Sequence, residues 1–181
     1  MPGLAVIVAV MTEGKILLTK REDFEVWCLP GGGVEDGETL AEGAIREAKE
    51  ETGLDVELTH LVGVYSRMGG GMRDTHAVLY AASPVGGELK TQPGETIAVE
   101  YFPFKQLPKE LLFGHKKRIQ DAIHGHIGLS VRQQIKAEDT TVYSRMELYE
   151  MRDRSGLSRQ QFYFQRFEGA EIHEIVEVGE G

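Results

Sequence analysis

Residues 31–54 read GGGVEDGETLAEGAIREAKEETGL and contain three glycines, an acidic turn and one short amphipathic helix. Thr39 and Glu42 have the spacing of a capping box, which predicts that the helix begins after Thr39. Gly53 predicts its end, since glycine adopts the left-handed conformation that closes helices at little cost. Apolar residues recur between these limits at helical spacing and predict one buried stripe, formed by Leu40, Ala41, Ala44, Ile45 and Ala48.

A second face of the same helix is acidic. Glu47, Glu50 and Glu51 are three and four positions apart, so their side chains project from the same side. Like charges at this spacing destabilise a helix by roughly 0.2–0.5 kcal/mol per pair, so the cluster favours a nearby cation. Arg46 could supply it and leave an ordinary solvated face. A hard divalent ion such as Mg²⁺ is the alternative, because it prefers oxygen ligands and the adjacent glycines let backbone approach a ligand.

At these positions the chain resembles the Nudix hydrolase family, whose signature is G-x5-E-x7-R-E-U-x-E-E-x-G-U, with U an aliphatic residue. Every specified position falls in register: Gly32, Glu38, Arg46, Glu47, Ala48, Glu50, Glu51, Gly53 and Leu54. Ala48 is smaller than the apolar residue usual at its position. The resemblance is tight over this box and looser over residues 4–125. It implies an α+β Nudix fold, in which a mixed β-sheet is sandwiched between helices.

The resemblance also implies a metal site and a catalytic role for the acidic face. Glu47, Glu50 and Glu51 would hold Mg²⁺, with Mn²⁺ as a substitute, and the backbone at Gly32 would complete the site. The same three glutamates are the catalytic candidates, since the metal lowers the pKa of a water and a carboxylate must accept its proton.

The identity of the general base stays open at this point. In the family it is either the glutamate that matches Glu47 or one from a later loop, for which Glu95 and Glu88 are the candidates. Glu38 and Arg46 are expected to support the cluster by pairing with each other, which would fix the glycine loop against the helix.

One further candidate, Arg21, follows a hairpin that the sequence predicts at residues 4–11 and 15–20. In the family an arginine in this position often lies near the substrate, so Arg21 is a candidate for substrate binding. Pairing on the surface with Glu22 or Asp23 is the alternative.

Composition restricts the classes of partner. The 20 basic and 29 acidic residues give a net charge of −9, which argues against nucleic-acid binding. Cys28 is the only cysteine, so an intramolecular disulfide is impossible, which suits a reducing compartment. The apolar run at residues 4–11 is too short to span a bilayer and follows no basic segment. We therefore expect a cytoplasmic protein with no membrane partner. The resemblance to the Nudix family implies a nucleotide-type small molecule as its substrate.

From the box we interpret the chain as an Mg-dependent hydrolase that cleaves the diphosphate linkage of a nucleoside diphosphate derivative or a nucleoside triphosphate. The alternative is a catalytically silent Nudix-fold module that binds nucleotides or regulates a partner, although such modules often lose box carboxylates. Residues 69–72 lack the proline typical of ADP-ribose enzymes and the tyrosine typical of dinucleoside polyphosphate enzymes. A nucleoside triphosphate or similar nucleotide is therefore the preferred substrate.

The rest of the chain predicts a domain over residues 1–125 and a C-terminal extension over residues 126–181. Within the domain, strands are expected at residues 56–67, 74–82 and 97–102, and a second helix at 111–125. The extension lies outside the resemblance. Residues 142–151 and 160–167 suggest the two strands of a hairpin, although 143–149 fits a helix equally well. Residues 178–181 are expected to be loose.

The extension also carries an aromatic cluster that needs an apolar partner surface. That surface could be the core, a second copy in a homodimer or a substrate pocket, and we favour the first two. The cluster consists of Phe162, Tyr163, Phe164 and Phe167.

Overall fold

The structure is a computed structural model of the chain and describes residues 1–179. Glu180 and Gly181, part of the end expected to be loose, lie outside the described residues. The elements in order are β1 (Gly3–Thr12), β2 (Lys15–Arg21), β3 (Trp27–Cys28), β4 (Gly31–Gly33), α1 (Leu40–Thr52), β5 (Leu54–Gly69), β6 (Thr75–Gly87), β7 (Thr96–Pro103), α2 (His115–Ile123), β8 (Leu129–Lys136), α3 (Arg145–Arg154), α4 (Arg159–Arg166) and β9 (Glu171–Val178).

The strands form one mixed sheet in the order β3-β2-β1-β6-β5-β8-β9, with β4 paired to β1 and β7 paired to β2. The β1–β6 and β5–β8 pairs are parallel, while β5–β6 and β8–β9 are antiparallel. β2 pairs with β1 only next to the turn and then runs beside β7. Arg21 is the last residue of β2.

Helices cover both faces of the sheet, as predicted. Successive side chains of β1 point to opposite faces, so Val6, Val8 and Val10 pack with α1 in one core cluster. Ile7 and Ala9 belong to the other cluster, which contains the α2 side chains Ile119 and Ala122. The expectation of a mixed sheet sandwiched between helices is therefore confirmed.

The capping signals of α1 are confirmed. The Thr39 side chain accepts from the Glu42 backbone N–H, and the Glu42 side chain accepts from that of Thr39. Gly53 closes the helix in the left-handed conformation at φ 78°. One member of the predicted apolar stripe is wrong: Ile45 is 42% exposed, whereas Ala48 is fully buried. Small residues bring α1 close to the sheet, and the larger Ile45 lies at the edge of that contact.

The strands predicted at residues 56–67, 74–82 and 97–102 are β5, β6 and β7, and the helix predicted at 111–125 is α2, each with shifted ends. β5 pairs with β6 with several register shifts, as a long bulged strand would. No helix of residues 1–179 is both long enough and apolar enough to cross a membrane.

The hairpin expected in the extension is wrong. The helical alternative for residues 143–149 is right, since α3 covers most of them, but residues 160–167, expected only as a strand, form the helix α4. α3 begins with a capping box of Ser144 and Glu147, and α4 with one of Ser158 and Gln161. These boxes satisfy backbone N–H groups at both helix starts, which a strand of the same sequence would not do. The strands of the extension are instead β8 and β9, which continue the sheet from β5 and which we did not predict.

Three of the four residues in the aromatic cluster of the extension are buried against the domain, whereas Phe164 is 39% exposed. Tyr163 and Phe167 are buried in a small apolar cluster with Val26, and Phe24 packs against it. The Tyr163 hydroxyl also accepts from the Phe113 backbone N–H at 2.7 Å. The extension therefore packs against the segment that links β2 to β3.

Candidate active site

A strand of three glycines lies between β1 and α1. β4 pairs with β1, so that Gly31 is opposite Ile7. Gly31 has φ +151°, and a side chain there would overlap the Val6 carbonyl. A Cβ on Gly32 would lie 2.5 Å from Glu47 Oε1. Gly31 must therefore be glycine, whereas Gly32 lacks a side chain that would displace the carboxylate of Glu47.

Two of the three glutamates on that face are buried. Glu47 is 9% exposed and Glu51 is 7% exposed, whereas the side chain of Glu50 is 45% exposed. Burial raises the pKa of Glu51 to about 8, although the Gly31 N–H donates to its Oε2 at 3.0 Å and opposes the shift. Burial also raises the pKa of Glu47, against the effect of the Arg46 hydrogen bond. The site holds carboxylates where their negative charge is poorly solvated.

Arg46 connects the acidic face to the glycine strand. Its guanidinium donates to Glu38 at 2.8 and 3.0 Å, to Glu47 at 3.0 Å and to Glu50 at 3.1 Å. It also donates to the Gly33 carbonyl at 2.9 Å. The hydrogen bonds from Arg46 hold the pKa of Glu38 below its usual range. The expected pairing of Glu38 with Arg46 is therefore present, and it ties the loop before α1 to the helix.

These residues line a polar cleft of about 380 Å³, which we call the carboxylate cleft. Glu95 also lines it, whereas Glu88 does not. The Glu88 carbonyl lies instead beside Gly53, at the end of α1. A larger groove of about 810 Å³ runs past Ile45 and Lys49, but none of the three clustered glutamates lines it. The residues that line the carboxylate cleft include Arg21, Gly31, Gly32, Gly33, Arg46, Glu47, Glu50, Glu51 and Glu95.

Arg21 pairs with Asp23, as one of its two alternatives expected, and its role in substrate binding stays a prediction. Its guanidinium pairs with the Asp23 carboxylate through two nitrogens, and it also lines the carboxylate cleft. Burial alone would raise the pKa of Asp23, but the hydrogen bond and charge of Arg21 hold it below its usual range. The Tyr149 hydroxyl donates to the same carboxylate at 3.1 Å, and Arg152 donates to the Asp23 carbonyl at 2.7 Å.

The extension therefore reaches the site, which the sequence did not indicate. Arg145 and Tyr149 line the carboxylate cleft from α3. Asp23 was considered only as a surface partner of Arg21, and it is the residue that links the two parts. No local signal in the sequence gave the position of Arg145 and Tyr149, because the contacts of α3 with Asp23 join distant parts of the chain.

The donor set of the carboxylate cleft is made of oxygen atoms. Carboxylates and backbone carbonyls are the ligands of hard divalent ions, so Glu47, Glu50 and Glu51 could hold such an ion. Within residues 1–179, however, no three acidic, histidine or cysteine side chains form a preassembled metal cluster. Arg46 and the Gly31 N–H occupy oxygens of the three glutamates. A cation would therefore compete with Arg46 for the negative charge of Glu47 and Glu50, although the second oxygen of each carboxylate accepts no bond from Arg46.

Known proteins resemble this chain over most of its length. A family model described as NUDIX domain matches residues 1–122. An ADP-ribose pyrophosphatase from Methanocaldococcus jannaschii is 40% identical over 124 residues, which cover 66% of this chain and 72% of the relative. A putative 8-oxo-dGTP diphosphatase from Bacillus subtilis is 33% identical over 121 residues, which cover 67% and 79%.

Solved structures agree with these sequence matches. A MutT NUDIX hydrolase from Burkholderia pseudomallei superposes with a TM-score of 0.62 at 27% identity, covering 67% of this chain and 98% of that one. A NUDIX hydrolase from Nitrosomonas europaea gives a TM-score of 0.61 at 29% identity, covering 70% and 75%. The family match ends within α2, so α3, α4 and the last two strands lie beyond it.

Proposed function

The chain belongs to the NUDIX domain family, and on that basis we propose that it hydrolyses a diphosphate linkage in a nucleoside triphosphate or another nucleoside diphosphate derivative. It is a Nudix hydrolase, and its named relatives include a pyrophosphatase and a diphosphatase. One observation carries the proposal: the three glutamates of α1 share a polar cleft with a glycine strand and Arg21. Such a cleft combines oxygen ligands for a cation with a guanidinium for phosphate.

Nudix hydrolases generally use divalent metal ions, and the donors of this cleft fit one. We propose that Glu47, Glu50 and Glu51 hold Mg²⁺, or Mn²⁺ in its place, with the backbone of Gly32 beside them. When bound, the ion supplies positive charge that polarises a phosphoryl oxygen and lowers the pKa of a water. Arg46 would keep its contacts with Glu38 and share the charge of Glu47 and Glu50 with the ion.

The reaction needs a proton acceptor and a group that binds phosphate. Water attacks phosphorus, the bond from phosphorus to the leaving phosphate oxygen breaks, and the proton of the water passes to a carboxylate. Glu47 and Glu95 are the bases that we propose, because both line the carboxylate cleft whereas Glu88 lies apart from it. Arg21 would bind a substrate phosphate, since Asp23, which also accepts from the Tyr149 hydroxyl, holds the Arg21 side chain at the cleft.

The relatives suggest two substrate classes. One relative is named for ADP-ribose and another for 8-oxo-dGTP. Residues 69–72 of this chain lack the proline that accompanies ADP-ribose cleavage in the family. We therefore prefer a nucleoside triphosphate over a nucleoside diphosphate sugar.

The second candidate function is a Nudix-fold module that binds nucleotides without turnover. The arrangement of Arg46 favours this alternative most, because its bonds to Glu47 and Glu50 compete with a cation. Retention of every signature carboxylate favours the enzyme. Activity measurements separate the two.

The one cysteine of the sequence, Cys28, bears on the compartment. Cys28 is buried, and burial raises the pKa of its thiol to about 11, so little reactive thiolate forms at neutral pH. A single buried thiol suits a reducing compartment, and we propose a cytoplasmic location on this ground. A homodimer formed through the extension stays a prediction.

The test is hydrolysis of a nucleotide panel with Mg²⁺ by the wild type, Glu51→Gln and Glu57→Gln. Glu57 is exposed on β5 and lines no part of the carboxylate cleft, so its variant matches the charge change. We expect turnover that requires metal and falls at least about 100-fold in Glu51→Gln only, the scale of a lost transition-state contact.

A binding measurement accompanies the activity assay. Titration of Mn²⁺, followed by its paramagnetic effect on water relaxation, should reveal a site that Glu51→Gln weakens and Glu57→Gln leaves intact. Equal turnover by all three proteins would remove Glu51 from the mechanism. A wild type that binds Mn²⁺ and nucleotide but hydrolyses no member of the panel would favour the binding module.

A further inference from the structure

A second cavity opens beside the carboxylate cleft, and its walls are mostly apolar and include five aromatic side chains. It has a volume of about 200 Å³ and shares Arg21 with the carboxylate cleft. The Phe113 and Phe167 rings stack beside it with centroids 4.9 Å apart, and Phe24 lies 5.5 Å from the Tyr163 ring. We call this space, lined by Phe24, Phe113, Tyr163, Phe167 and Arg67 among others, the aromatic cavity.

The extension supplies one side of the aromatic cavity. Phe162, Tyr163, Arg166 and Phe167 come from α4 and the residue that follows it, beyond the 1–122 family match. The bond from the Phe113 N–H to the Tyr163 hydroxyl joins this side to the domain. The aromatic cavity therefore depends on residues that the family match does not include.

One wall of the aromatic cavity carries a guanidinium with only neutral partners. Arg67 donates to Met72 Sδ at 3.5 Å, to the Arg73 carbonyl at 3.0 Å and to Thr75 Oγ1 at 3.2 Å. No carboxylate among residues 1–179 forms an ion pair with Arg67. Burial lowers the pKa of Arg67, and the nearby charge of Asp74 opposes this shift. Charges that leave water are normally paired, so this arrangement favours a ligand that presents acceptors to Arg67.

A smaller pocket extends this polar wall toward the glycine strand. It has a volume of about 130 Å³ and is lined by Arg67, Arg118, His115 and Gly31, among others. Arg118 is 5% exposed, and its hydrogen bonds go to the neutral Gln133 side chain at 3.0 and 2.7 Å. Positive charge thus faces the space between the aromatic cavity and the carboxylate cleft.

The size and chemistry of the aromatic cavity select one part of a nucleotide. Pockets that enclose a whole drug-sized ligand measure about 300–1,000 Å³, so the aromatic cavity has room for a fragment such as one base. Flat apolar walls suit a planar ring. An arginine fork matches the two acceptors O6 and N7 of guanine, whereas adenine presents an amino donor beside N7 and would oppose the guanidinium donor.

We propose that the aromatic cavity binds the base of a guanine-type nucleotide, with Arg67 contacting its acceptor edge and the phosphates in the carboxylate cleft. The proposal rests on the hydrolase function proposed above, and it names the substrate of that site. It makes the extension a determinant of base specificity.

The first test compares kcat/KM for dGTP and dATP in the wild type, Arg67→Met, Arg67→Lys and Arg73→Met. We expect the wild type to prefer dGTP by at least about 10-fold, the scale of one bidentate contact. Both Arg67 variants should lose that preference, because lysine keeps the charge but not the planar fork. Arg73 is the matched control: its side chain donates to the Met1 carbonyl, and its variant should keep the preference.

The second test needs no turnover and uses the wild type. Calorimetric titration with GMP and with AMP, in the absence of metal, should give at least about 10-fold tighter binding of GMP. Equal binding, or tighter binding of AMP, overturns the proposal, as does an Arg67→Met protein that keeps its preference for dGTP. If GMP binds selectively but no nucleotide is hydrolysed, the proposed function fails while the base site stands.

Discussion

Arg46 donates two hydrogen bonds to Glu38, from Nε to Oε1 at 2.8 Å and from Nη2 to Oε2 at 3.0 Å. The remaining nitrogen of the same guanidinium donates to Glu47 and Glu50. Glu38 therefore holds an arginine that also shares its charge with two proposed metal ligands. A change at Glu38 should alter how strongly Arg46 competes with a cation.

We expect Glu38→Gln to raise the Mg²⁺ concentration for half-maximal activity by about 10-fold, as for other groups that hold metal ligands in place. Without the Glu38 carboxylate, Arg46 has only Glu47 and Glu50 as charged partners and resists displacement from them. Activity measured over a range of Mg²⁺ concentrations, with Glu57→Gln as control, checks the expectation. An unchanged metal dependence would show that the Glu38 pair has no influence on the cleft.

Local signals in the sequence predicted the part of the site that a single segment builds. The capping box at Thr39 and the glycine at Gly53 fixed the limits of α1, because both act through backbone groups within a few residues. Once α1 is helical, Glu47, Glu50 and Glu51 must project from the same side, because they are three and four positions apart. The pairing of Glu38 with Arg46 also lies within this segment.

The other half of the site depends on contacts between distant parts of the chain. Tyr149 meets Asp23 across 126 positions, and no local pattern specifies that meeting. The same holds for Glu95. It lies on a loop that could not be aligned reliably with the family, so its position at the carboxylate cleft was not predictable. In the extension, the apolar runs were too short to separate a helix from a strand, so the boxes at Ser144 and Ser158 were the better indicators.

Stability should depend on pH through His115. This side chain is 5% exposed, and its Nδ1 accepts from the Leu29 backbone N–H at 3.2 Å. Burial, with the positive charges of Arg118, Arg21 and Arg67, lowers the pKa of His115 well below 6.5. The unfolded chain therefore binds a proton at a pH where the folded chain does not. This contribution to stability is complete above pH about 6.5 and is lost as pH falls below it.

We expect the wild type to lose more free energy of unfolding between pH 7 and pH 5 than His115→Gln does. Each pH unit in which only the unfolded state binds the proton corresponds to about 1.4 kcal/mol. Glutamine keeps an acceptor for the Leu29 N–H but does not titrate. Urea unfolding at several pH values measures the difference, and parallel curves for the two proteins would mean that His115 does not titrate separately in the two states.

The glycine strand allows a test that separates activity from stability. A Cβ on Gly32 would lie 2.5 Å from Glu47 Oε1, while a Cβ on Gly33 would meet no atom within 4 Å. In Gly32→Ala the end of the Glu47 side chain can move away at little cost, so the midpoint of thermal unfolding should change little. The displaced carboxylate should nevertheless lower kcat/KM by about 100-fold, as a shift of about 1 Å in a reacting group can. Gly33→Ala should retain activity, and an active Gly32→Ala protein would exclude Glu47 from the reaction.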